Sequence, residues 1–328
     1  MKYIAVIFFT MSFSALAEDI KVIHLIASSS AYDEGSIKDI IDVLKEKGYS
    51  ANTKYLNQQV SDFGYVNLDR ERGKNLVKAL TDDQVKYLWF VQGGSGALNL
   101  FPYLSDNLEK IKKSKKKIII GFSDVTAIHY FLNKNVGWKS IHGILAAFNA
   151  DIYKKKEEDG KEQLSMNNGF DQVFDIIKKG VSYNGLIPLN SYAKSGVSGS
   201  LGGGNLTLIQ SLFSTSYEKY FPNEILLMED TGSTYRQLDR TLHQITYKKD
   251  FKPKAIVFGQ FYTLSASDEK RLMFKTVIKD FASRSTIPIY YYPYFGHGKT
   301  NNPFILEQKT SIKCEKDEDY CQLIQAGM

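Results

Sequence analysis

The sequence predicts an α/β fold, an open parallel sheet followed by a second, less regular unit, and three observations carry that prediction. Apolar, often β-branched runs alternate with segments of helical periodicity through the first half of the chain. Two of the runs, Val85 to Val91 and Ile118 to Ile120, close on a glycine loop and on a strand-to-helix turn. Beyond about residue 185 the alternation gives way to glycine clusters and aromatic-rich strand candidates.

Taken in order, Val22 to Ala27 reads as a strand, and Ile37, Ile40, Ile41 and Leu44 mark one face of a helix. Asn52 to Leu56 is a second strand candidate and Leu68 to Leu80 a charged helix. Val85 to Val91 is an apolar strand ending in Gly93-Gly94-Ser95-Gly96, and a further helix leads to the strand Ile118 to Ile120. Val125, Ile128 and Leu132 then fall at helical spacing, and Ile141 to Phe148 is one more strand candidate. From Asp151 to about Gly180 the chain is polar and lacks periodicity, which suits a linker or exposed excursion, with a short helix around Phe174 and Ile177. In the second half, residues 195–205 read as a glycine-rich loop and Glu224 to Met228 as a strand closing on Glu229-Asp230. Tyr235 to Ile245 is helical, Ala255 to Phe258 a strand, and Phe274, Val277, Ile278 and Phe281 mark another helix. Ile287 to Tyr294 is an aromatic strand closing on Phe295-Gly296-His297-Gly298, and no internal repeat is visible.

The chain has 328 residues, 43% of them hydrophobic, with 21 Tyr and 20 Phe, enough for about two domains with large cores. The net charge is +6, and the lysines form short surface-like clusters such as Lys112 to Lys117. There is no arginine-rich arm and no interleaving of arginine with aromatics, which argues against nucleic-acid binding. The N-terminus reads MKYIAVIFFTMSFSALAEDI, with an early lysine, an apolar run from Tyr3 to about Phe13, and Ala15-Leu16-Ala17. That pattern predicts a signal peptide over residues 1–17, cut after Ala17. The run is short of the roughly 20 residues that span a bilayer, and no lipobox cysteine follows. A mature protein that is periplasmic or secreted, with no stable membrane insertion, is the expectation. Cys314 and Cys321 are the two cysteines; they form a local disulfide in an oxidising compartment or remain two free thiols. Neither they nor the histidines have metal-site spacing, and no cofactor is expected.

Ser123 stands where a strand becomes a helix, a place that suits either a helix N-cap or a nucleophile raised out of the sheet. A serine nucleophile needs a base and an orienting acid. Of the five histidines, His297 lies in a glycine-flanked loop after a strand and is the first candidate, with His142 second. Glu229 or Asp230, also at a strand end, can supply the acid. The glycine loop 93–96 lacks the Lys-Ser/Thr of a phosphate loop and suits backbone N–H groups facing an oxyanion. Their order along the chain, Ser, then Glu, then His, is a known triad order.

Eight segments, in order, carry a family resemblance: DRERGKNLVKAL, QGGSGALNLFPYL, GFSDVTAIHYF, HGILAAF, GGGNLTLIQSLFST, LLMEDTGSTYRQLDRTLHQI, AIVFGQF and PYFGHGKTNNPF. Over about residues 21 to 310 the chain resembles the bacterial serine LD-carboxypeptidases, which act on murein tetrapeptides and include the microcin C immunity peptidases. The resemblance implies Ser123 as nucleophile, Glu229 and His297 as its partners, and the N–H groups of Gly94 and Asp124 as oxyanion hole. It implies a flavodoxin- or amidotransferase-like domain over 18–150 carrying the nucleophile, a linker or excursion over 151–185, and a smaller β-rich α/β domain over 186–328 carrying Glu229 and His297. It further implies a cleft between the domains, a homodimer, a muropeptide substrate, release of terminal D-Ala, and no cofactor or metal. The same triad acting on another amide, such as a microcin-like peptide conjugate, and a non-catalytic muropeptide-binding protein are the alternatives. The glycine loop departs from the family pattern R-G-G-Y-G: Gln92 and Ser95 replace its arginine and tyrosine. The segment His142-Gly143-Ile144 also lacks the proline often found there, and an export signal is a further departure.

Overall fold

The computed structural model describes residues 21–146, 152–156, 162–166, 168–219, 224–298, 300–315 and 318–328. The signal segment expected over 1–17 lies outside the described residues.

The first half alternates as expected: β1 (Lys21–Ile26), α1 (Glu34–Glu46), β2 (Tyr49–Tyr55), α2 (Asp69–Thr81) and β3 (Tyr87–Phe90), then α3 (Phe101–Asp106), α4 (Leu108–Lys113), β4 (Ile118–Gly121), α5 (Thr126–Val136) and β5 (Ser140–His142). β1 to β5 are parallel and lie in the order β2-β1-β3-β4-β5, the flavodoxin-like order with its reversal between β1 and β3. The central strands β3 and β4 are apolar because both sheet faces are covered. α1 shows the ordinary amphipathic solution: Ile37, Ile40, Val43 and Leu44 face the core, and Asp33 caps its first turn by accepting the Gly35 N–H at 3.1 Å. α5 is different. It buries every residue from Thr126 to Lys134, as a helix enclosed on all sides must.

The second half opens with the hairpin β6 (Ile152–Lys156) and β7 (Glu162–Met166), then α6 (Asn168–Lys179), β8 (Val181–Pro188), β9 (Val197–Asn205), α7 (Leu206–Gln210), β10 (Glu224–Glu229), α8 (Tyr235–Tyr247), β11 (Ala255–Phe258), α9 (Asp268–Arg284), β12 (Ile289–Tyr291), β13 (Phe304–Leu306), β14 (Lys309–Cys314) and β15 (Cys321–Gln325). Seven of these strands close a barrel in the order β10-β11-β12-β8-β15-β14-β9. β13 leaves the barrel and adds to the first sheet, antiparallel to β5.

Several local expectations are corrected. Residues 195–205, read as a loop, include the strand β9, which pairs with β10 and β14; ladder bonds with distant partners override the poor strand propensity of glycine. The aperiodic segment from 151 holds the β6–β7 hairpin, whose pairing is local, and α6. Ile141 to Phe148 contributes only the short β5, its end lying outside the described residues. The aromatic strand is confined to β12. Cys314 and Cys321 face each other across β14 and β15 and form a disulfide.

Candidate active site

β4 ends at Gly121, and the chain turns at once through Ser123 into a short 3-10 turn, Ser123–Val125, ahead of α5. Ser123 has φ 62°, the left-handed region that a non-glycine residue occupies only where the surroundings enforce it. Its hydroxyl does not cap a helix: the turn begins without a side-chain cap, and the α5 N-cap is Val125. The capping role considered for Ser123 is therefore not the one it takes, since neither helical segment has a side-chain cap bond and the hydroxyl is bonded elsewhere.

The hydroxyl instead meets His297, which lies 174 residues away in sequence. Ser123 Oγ–H donates to His297 Nε2 at 3.0 Å, and His297 Nδ1–H donates to Glu229 Oε2 at 2.6 Å. The tautomer follows from the carboxylate, which only accepts. Glu229 is the last residue of β10 and is fully buried. Burial pushes its carboxyl upward, but the charge and hydrogen bond of His297 outweigh this, and the group stays below the ordinary carboxylate value. Burial likewise pushes His297 down, while Glu229 and then Asp230 hold the imidazole above its ordinary 6.5. Gly296, with φ 98°, lets the histidine loop close over Glu229; a Cβ there would lie 2.8 Å from Glu229 Oε2.

The glycine loop after β3 lies against the Ser123 turn. Gly94, with φ 99°, passes so close to Ser30 that a Cβ would collide with the serine side chain. The buried Asp124 carboxylate accepts the Ala97 N–H at 2.8 Å, tying the Ser123 turn to this loop. Burial raises the Asp124 carboxyl against that bond and the nearby Arg72 charge.

Other predicted residues separate from the triad. Asp230, the alternative acid, accepts from Thr207 Oγ1 at 2.7 Å, the Thr231 N–H at 2.8 Å and Asn205 Nδ2 at 3.2 Å, and so serves the strand end rather than the imidazole. His142, the second candidate base, is buried near Phe122 and Phe295, and its imidazole makes no hydrogen bond among the described residues. Burial lowers it to about 4. No group of three or more His, Cys, Asp or Glu residues that could hold a metal occurs among the described residues.

Three supporting residues escape sequence reasoning. Arg72 is buried beneath the glycine loop, donates to the Ser28 carbonyl, to the Gly96 carbonyl at 3.0 Å and to Asp69, and stacks 4.5 Å from the Tyr65 ring centre. Its signal was present: Arg72 shares the helical stripe of Leu76 and Leu80, a charge on an apolar face. Asn301 Oδ1 accepts the Gly296 N–H at 2.9 Å while its Nδ2 donates to the Gly143 carbonyl at 2.7 Å, joining the histidine loop to the first sheet. The Asn205 N–H donates to Thr126 Oγ1 at 3.0 Å, joining β9 to α5.

Residues 23–143 match the LD-carboxypeptidase N-terminal domain and residues 198–312 the LD-carboxypeptidase C-terminal domain. A Rickettsia conorii protein, named provisionally as a carboxypeptidase, is 31% identical over 95% of this chain and 95% of its own. The murein tetrapeptide carboxypeptidase of Pseudomonas aeruginosa is 25% identical, covering 70% of this chain and 73% of its own. Among solved structures, the muramoyltetrapeptide carboxypeptidase of Oxalobacter formigenes shares the fold with a TM-score of 0.74 at 23% identity, over 93% of this chain and 99% of its own. The MccF-like protein of Bacillus anthracis shares it with a TM-score of 0.70 at 18% identity, over 93% and 97%.

Proposed function

The chain belongs to the LD-carboxypeptidase family and is a serine-type carboxypeptidase, and on that premise we propose that it releases the terminal D-Ala of murein tetrapeptides through Ser123, His297 and Glu229. One observation carries the reading: the unbroken row of hydrogen bonds from Ser123 through His297 to Glu229.

The reaction is acyl transfer. His297 Nε2 takes the Ser123 proton as Oγ attacks the carbonyl carbon of the diamino acid, L-lysine or diaminopimelate. Electrons move onto the carbonyl oxygen, which the N–H groups of Gly94 and Asp124 receive. The carbonyl re-forms, the C–N bond breaks, and His297 returns the proton to the departing amine of D-Ala. Water then attacks the ester with His297 again as base, freeing the tripeptide and Ser123. Glu229 holds the imidazole in the required tautomer and stabilises the imidazolium throughout. The bond row also argues for catalysis over silent muropeptide binding.

Export is part of the proposal. The N-terminal pattern of residues 1–17 supports it, and so does the Cys314–Cys321 disulfide, a bond that persists in oxidising compartments. No helix among the described residues is long and apolar enough to cross a membrane. A homodimer is the proposed assembly, on the family resemblance alone.

The test is incubation of purified mature protein with a murein tetrapeptide and mass analysis for loss of one D-Ala. A parallel incubation with a microcin-like peptide conjugate separates the competing amide substrate. Ser123→Ala should abolish labelling by a fluorophosphonate probe and leave at most about one thousandth of the activity. D-Ala release by that variant at the wild-type rate would overturn the assignment.

A further inference from the structure

A cavity borders the strand end that carries Glu229. It lies at the carboxyl ends of β9 and β10, beside α7 and α8, with a volume of about 450 Å³, and its walls include Thr207, Asp230, Ser233, Gln237, Arg240 and Gln244. Ligands of parallel α/β sheets bind at such strand ends, and the volume suits a small organic ligand.

The lining is polar, and its side chains are held in place. Gln210 accepts from Thr241 Oγ1 at 3.0 Å and donates to Gln244 at 2.7 Å, which fixes the amides along the wall. The Asp230 carboxylate is engaged by Thr207, Thr231 and Asn205. The Arg240 side chain is exposed and has no ion pair or hydrogen bond among the described residues. An uncommitted guanidinium among amides and hydroxyls is the chemistry that recognises a carboxylate with polar neighbours. The loop beside Ser123 offers no such group, since Gln92 stands at its start and the Arg72 guanidinium is buried on Ser28, Gly96 and Asp69.

We propose that this cavity is the subsite for a carboxylate on the acyl side of the substrate peptide, with Arg240 as the residue that reads it. The inference rests on the peptidase reading above. Asp230 on the cavity wall shares the Asn205 amide with Glu229, 3.2 Å and 3.5 Å from Asn205 Nδ2, so the cavity borders the Glu229 end of the hydrogen-bonded row, a separation that a peptide extending roughly 3.3–3.6 Å per residue spans in a few residues. In a murein stem the D-glutamate before the diamino acid is linked through its γ-carboxyl, which leaves its α-carboxylate free for this contact.

Two synthetic tetrapeptides test it, one with that α-carboxylate free and one with it amidated. Wild-type enzyme should favour the free acid at least tenfold in kcat/KM. Arg240→Gln should lose the preference, through a rise in KM on the free acid several times larger than on the amidated substrate. No wild-type preference, or equal losses on both substrates, overturns the subsite. Calorimetry keeps this inference separate from the peptidase reading. Protein carrying Ser123→Ala should bind L-alanyl-γ-D-glutamate at least tenfold more tightly than the same protein with Arg240→Gln. Binding that depends on Arg240 without any D-Ala release by wild type would remove the peptidase reading and leave the subsite standing. Absent binding, or binding indifferent to Arg240, removes the subsite.

Discussion

Lys134 and Glu224 form a buried ion pair that joins the helix behind Ser123 to the strand that carries Glu229. Lys134 lies near the end of α5, the helix that follows Ser123, and Glu224 is the first residue of β10, the strand that ends on Glu229. Glu307 lies 3.4 Å from the same ammonium. Breaking a buried pair from one side leaves an uncompensated charge, at a cost of about 3–5 kcal/mol. Lys134→Met should therefore lower the melting temperature and, by loosening the register of Ser123 against His297, the rate of D-Ala release. Replacing Glu224 by Leu in addition should recover part of the stability. A single variant with the wild-type melting temperature would remove the pair's role.

The proposed triad predicts a pH dependence. His297 must be neutral to accept the Ser123 proton, and its pKa is raised above 6.5 by Glu229 and Asp230. Activity should thus rise with pH through an acid limb lying above 6.5 and be lost below it. Removing the Glu229 charge should move that limb downward. A wild-type limb below 6.5 would contradict the raised imidazole.

Glu229→Gln keeps the size of the side chain and presents an amide donor to His297, which favours the wrong tautomer. A fall in kcat of about 10⁴-fold is expected, with KM little changed. Steady-state kinetics on the tetrapeptide check this, and a loss of tenfold or less would show that another group orients the imidazole.

Arg72 acts on the glycine loop without touching Ser123. Lysine cannot bridge the Ser28 and Gly96 carbonyls and Asp69 with one fixed plane. Arg72→Lys should lower kcat at least tenfold while fluorophosphonate labelling slows in parallel. Unchanged labelling would separate Arg72 from the loop that faces the nucleophile.

The disulfide closes a short loop, so its loss should cost about 2–3 kcal/mol. Thermal melts with and without reductant, and of the Cys314→Ser, Cys321→Ser double variant, should differ by several degrees. Equal melting temperatures would leave the bond without a stabilising role.

Elements whose cause is local were legible in the amino-acid order. β1, β3 and β4 follow from apolar runs, and α1 from a 3.6-residue period. The residues alone left Glu229 or Asp230 open as the acid and His297 or His142 as the base, and the family resemblance of the eight segments implied Ser123, Glu229 and His297. Tertiary structure decided what depends on partners far along the chain. The glycines of β9 form a strand because β10 and β14 pair with them, and β13 joins the first sheet through β5. It also decided which acid faces the imidazole: Glu229 and Asp230 are adjacent in sequence, but bonds from Thr207 and Asn205 hold Asp230, while the Gly296 turn brings His297 onto Glu229. Periodicity records which face of an element is apolar; the pairing of side chains more than a hundred residues apart is fixed only when the barrel closes against α5.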